Sequence, residues 1–199
     1  HTAPVAVIPH KFDYIANFCG QDQDALVKIT RILLERAGNS EVAYLLERLM
    51  PHNAETRAAI RTAFGAFPTV LIEAYLFVRQ HVQHADHDAE TFSLILDLDS
   101  SFGSQYVQWQ WLQQHGDKHV YFDHHDYTAL WRREDCAQVM DRILDTVQGL
   151  PKPRYISQYD YFKPFFVPPN PQQHQDPEIE ERLVEYLESL ITRYPKDMS

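Results

Sequence analysis

The chain has 199 residues, 44% hydrophobic and 23% charged, which is ordinary globular usage and excludes wholesale disorder, a collagen-like repeat or a low-complexity polymer. Its 18 basic residues face 28 acidic ones, for a formal net charge of −10. No Lys/Arg cluster runs longer than Arg132-Arg133, so a phosphate-binding basic face, and with it a nucleic-acid partner, is not expected.

Residues 1–21 read as irregular, with Pro4 and Pro9 as breakers. From Asp22 the pattern turns helical. Leu26, Ile29, Leu33 and Ala37 make one stripe, and Gly38-Asn39 ends it with residues that tolerate left-handed backbone. A second helix carries Val42, Leu45, Leu46 and Leu49 and stops at Pro51. Asn53 suits the N-cap of a third, about 54–66, and Pro68 opens a fourth, about 68–84. Short helices with tight connections imply antiparallel neighbours.

The run FSLILDL at 92–98 is either a strand or the buried part of a helix, because periodicity does not separate the two for so short a run. Ser101 is placed to cap a helix running to His115. The HVYF run at 119–122 reads as a short strand. Helix resumes at Asp126 or Thr128 and continues from Glu134 to about Gln148. Residues 151–175 are proline-rich and aromatic, a strap rather than a flexible linker, since such rings favour burial. Asp176-Pro177 is an N-cap and first-turn pair that opens a C-terminal helix to about 195. Leu183, Val184, Leu187, Leu190 and Ile191 form its expected buried stripe. The expected architecture is mainly α: a single-domain bundle of roughly seven to eight helices, with one or two short strands at 92–98 and 119–122 as the alternative. Within it, 22–150 form the helical core and 176–195 a helix packed on that core.

Two cysteines, Cys19 and Cys136, make no disulfide framework, and a chain of this length builds a core without one. No apolar run is long enough for a membrane helix, and no signal-peptide pattern opens the chain. A reducing, cytoplasmic setting and no membrane partner are therefore expected.

Three constellations bear chemistry. In the first, His81, His84 and Asp88 recur at helical spacing, so that side chains three and seven apart share a face. In the second, His124, His125 and Asp126 sit near a turn. Together they supply the imidazoles and carboxylates of a zinc or other divalent-metal hydrolase site. The simpler reading of both is a solvated helix end and a capped turn. The third is aromatic: Trp109, Trp111 and Trp131 in the helical core, with Tyr159, Tyr161 and Phe165 in the strap. Exposed rings of this kind anchor protein interfaces, although burial in the core is the commoner fate. There is no nucleophile elbow and no phosphate-cradling glycine run.

The expectation that follows is a non-enzymatic, acidic helical interaction module that needs no cofactor. It would bind a basic protein partner through carboxylates flanking aromatic anchors, as an inhibitor or neutraliser of that partner. The alternative is a metal-dependent hydrolase built on His81, His84, Asp88, His124, His125 and Asp126.

Overall fold

The computed structural model describes residues 22–36, 38, 40–50, 54–82, 88–115, 124–151 and 176–193. Among them the protein is all α, with nine helices and no strand. These are α1 (Gln23–Leu34), α2 (Ser40–Glu47), α3 (Ala54–Phe64), α4 (Pro68–His81), α5 (Asp88–Leu98), α6 (Phe102–His115), α7 (His124–Trp131), α8 (Cys136–Gly149) and α9 (Pro177–Arg193). The chain divides after Phe102 into two compact units. The expected strand at 119–122, the N-terminal segment before Asp22 and the strap at 152–175 lie outside the described residues.

In the first unit, Asp22 caps α1 by accepting a hydrogen bond from the Ala25 amide at 3.1 Å, which satisfies one of the donors a helix start leaves open. Gly38 follows at φ 101°, a conformation that costs a glycine nothing. The centre of this unit is α4. Val70, Leu71, Ile72, Ala74, Tyr75 and Val78 are all buried there, and α1, α2, α3 and α5 pack around it. Pro68 occupies its first turn, where a missing N–H is harmless. The helix ends at His81, one turn short of the expected 84.

The run 92–98 belongs to a helix, α5, and the reason is tertiary. Arg57 on α3 reaches the Glu90 carbonyl, Ser93 Oγ at 3.0 Å and Asp97 Oδ2 at 3.2 Å. Those three residues stand at i, i+3 and i+7, one face of a helix and never one face of a strand. Arg61 joins the same Asp97 carboxylate. The opposite side of α5 buries Phe92, Leu94, Ile95 and Leu96. Phe92 meets Tyr75 and Phe102 at ring-centroid distances of 6.3 and 5.3 Å, and Tyr75 meets Phe102 edge-on at 5.7 Å, in the tilted arrangements that aromatic quadrupoles favour. Between α5 and α6 the chain turns on Asp99, whose Oδ1 accepts from the Ser101 amide and hydroxyl.

In the second unit α6 touches α8 and Pro151 just beyond it. Gly103 lies against Ile143, Ser104 Oγ donates to the Arg142 carbonyl, and Trp111 Nε1 donates to the Pro151 carbonyl. The approach at Gly103 is close: a Cβ there would stand 2.9 Å from Ile143 Cδ1. Along α8, Cys136, Val139, Met140, Ile143 and Val147 are buried, a regular amphipathic stripe. α9 opens as its sequence implies. Asp176 Oδ1 accepts from the Glu178 amide at 3.2 Å, and Pro177 takes the first helical position.

Candidate functional site

The fold covers only one edge of the hydrophobic stripe expected for α9: Leu183 and Leu190 are half-buried, while Val184, Leu187 and Ile191 are exposed. Its buried residues are Ile179 and Tyr186. Val184 is 53% exposed, Leu187 39% and Ile191 51%. The cause is angular. At 100° per residue, Tyr186, Ile179, Leu190, Leu183, Leu187, Ile191 and Val184 sweep an arc of about 160°. A helix lying on a flat support buries roughly 100° of itself. Tyr186 draws one edge of the arc inward and leaves the other edge in solvent.

Three polar contacts hold α9 in that rotation. The Tyr186 hydroxyl donates to Asp141 Oδ1 at 2.7 Å, and its ring lies 5.5 Å from that of Trp131. Arg193 grips the same carboxylate with two hydrogen bonds of 2.9 and 3.0 Å. Arg182 donates to the carbonyls of Trp131 and Arg133 at 3.3 and 2.7 Å, which satisfies acceptors that the end of α7 leaves open. The Arg193 hydrogen bonds hold the Asp141 carboxyl below the usual carboxylate range, and the Tyr186 hydroxyl adds to this. Burial, followed by the Asp141 carboxylate, pushes the Tyr186 phenol up.

The consequence is electrostatic asymmetry. Both cations of α9 are committed: Arg193 to Asp141, and Arg182 to backbone carbonyls and Glu178. Its other glutamates, Glu180, Glu181, Glu185 and Glu188, are exposed and have no cationic partner among the described residues. The outer side of α9 is therefore an apolar ridge bordered by carboxylates that no cation among the described residues compensates.

The aromatic anchors read from the sequence fall elsewhere. Trp131 is fully buried, packed as core against Tyr186, so it presents no surface. Trp109 and Trp111 are half-buried, and residues two apart on a helix point about 200° from each other. Trp109 stacks on Tyr106 at 5.8 Å, and the Trp111 indole N–H is held by Pro151. Tyr159, Tyr161 and Phe165 lie outside the described residues.

Of the histidine and aspartate clusters, His81 ends α4 with Nδ1 at 2.9 Å from the Phe77 carbonyl and its ring stacked on Phe77 at 4.3 Å. His84 lies outside the described residues. Asp88 is the first residue of α5, while His124, His125 and Asp126 open α7. Among the described residues no group of three or more His, Cys, Asp or Glu is disposed to hold a metal ion.

Sequence reasoning missed the exposed α9 ridge and the burial of Gln110. Gln110 on α6 is fully buried, and among the described residues neither its Oε1 nor its Nε2 has a hydrogen-bond partner. The ridge had a signal, an apolar arc wider than one support covers. Gln110 had none, since a glutamine on a helix is ordinarily solvated.

No family model, curated protein or solved structure matches this chain. Among the described residues no helix is long and apolar enough to cross a membrane.

Proposed function

We propose that this chain is an acidic helical protein-interaction module that captures a basic protein partner and, by covering it, inhibits or neutralises it. The observation that carries this reading is the set of exposed glutamates on α9 that have no cationic partner among the described residues and lie beside an apolar ridge. The net charge of −10 supports it, because a field of one sign speeds and selects encounter with partners of the opposite sign. Apolar side chains bordered by charge supply what charge alone does not, a contact that excludes water and slows dissociation.

The test is affinity capture on the immobilised chain at ~50 and ~500 mM salt, on either side of the range where surface charges are screened. Basic proteins should be retained at low salt and released at high salt. Recovery of no protein, or retention indifferent to salt, contradicts the reading.

A further inference from the structure

We infer that the outer ridge of α9 is the docking surface itself, and that its occupant is a basic amphipathic helix of the partner. This rests on the interaction reading above and narrows it to one face and one ligand chemistry.

The ridge has the shape for a helix. Val184, Leu187 and Ile191 stand at i, i+3 and i+7, so they rise over two turns, about 10 Å. Ridges of that spacing seat in the grooves of a second helix, and short helical partners are read through apolar residues at this interval. Glu181 and Glu188 are seven apart, and so share one border of the ridge, and Glu180 lies in line with its N-terminal end. Lysines or arginines flanking the apolar seam of an incoming helix would meet these carboxylates.

The charge decides among occupants. α9 carries five glutamates and two arginines; Arg182 pairs with Glu178 and Arg193 with Asp141, which leaves the other four glutamates without a cation among the described residues. A second copy of the chain would bring one acidic border against another. An anionic lipid surface would be repelled in the same way. A cationic helix meets both the seam and its borders.

The experiment uses the full chain and a ~14-residue synthetic helix with leucine at the seam positions and lysine at the flanks. Controls are the same peptide with glutamate at the flanks and a scrambled lysine–leucine peptide. Fluorescence anisotropy should show binding of the lysine helix alone. The variant carrying Val184→Ser, Leu187→Ser and Ile191→Ser should bind it about tenfold more weakly. The variant carrying Glu181→Gln and Glu188→Gln should keep the fold, bind about threefold more weakly and lose much of the salt dependence. This second variant decides the matter if the triple variant fails to fold. Unchanged binding by a folded variant, or equal binding of the glutamate or scrambled peptide, overturns the assignment. So does a dimer in sedimentation that the triple variant disperses, because the ridge then belongs to a second copy. Affinity capture with the same variants separates the two levels. If basic proteins are still captured as well by the ridge variants, the surface is wrong and the interaction reading stands.

Discussion

α4 and α9 each carry a run of large apolar side chains, and those side chains meet different fates. Every large side chain along one side of α4 is buried, because four neighbouring helices surround it. α9 buries only Ile179 and Tyr186 and leaves Val184, Leu187 and Ile191 outside. The charges divide the same way. Around α4, Arg57 and Arg61 of α3 close on Asp97 of α5, so charge is matched where helices meet. On α9, Arg193 turns to Asp141 and Arg182 to backbone carbonyls and Glu178, and the other four glutamates have no cationic partner among the described residues. α4 is thus an organising element of its unit, and α9 is an element with one face for the fold and one to spare.

The sharpest way to break this contrast is to make the same substitution in both helices. Leu71→Ala on α4 should cost about 2–5 kcal/mol, the loss for a fully buried leucine plus its cavity, read from the urea midpoint. Comparable loss from Leu187→Ala would erase the distinction.

Next in size is the clasp that sets the rotation of α9. Asp141→Ala removes the acceptor of a largely buried Tyr186 hydroxyl and the partner of Arg193, and should cost about 1–2 kcal/mol. The same carboxyl gives a pH dependence of definite sign. Arg193 holds Asp141 below its ordinary range, and Arg133 does the same for Asp135. In the unfolded chain such groups titrate near ~3.9. Their stabilisation is therefore complete well above that value and lost as pH falls through the lower folded values. Thermal melting between pH 7 and pH 2 should show stability falling on the acid side, and less steeply in Asp141→Asn.

A gain is expected at Gln110. Its amide is buried without a hydrogen-bond partner among the described residues, so Gln110→Met, similar in volume and free of unmet polar atoms, should stabilise by about 1 kcal/mol. A loss in its melting temperature would mean that the amide is satisfied in solution. Smallest of all, Leu187→Ala should change stability by less than about 1 kcal/mol, in keeping with a side chain already partly in water.

Much of this fold was legible in the residues. Asp22, Pro68 and Asp176-Pro177 mark helix starts through backbone chemistry that acts locally. The stripe of α8 from Cys136 to Val147 is regular enough to read without neighbours. What was not legible depends on contacts distant in sequence. The run 92–98 has no period of its own, and it is Arg57, more than thirty residues earlier, that reads its helical face. The three tryptophans look alike in the sequence, yet Trp131 is closed in by Tyr186 while Trp109 and Trp111 stay half-open. The arc on α9 was visible, but which edge of it the fold covers was set by Tyr186, whose hydroxyl found Asp141. Candidate metal residues could be grouped only by spacing, which says nothing of whether separate helix ends meet.

The most direct measurement is the mapping of backbone amide shifts by NMR as the lysine-flanked helix is titrated into the full chain. The account predicts shifts concentrated around Val184, Leu187 and Ile191 and along the Glu181–Glu188 border, with the amides of α4 unmoved. Shifts that leave α9 untouched, whatever the affinity, would contradict it.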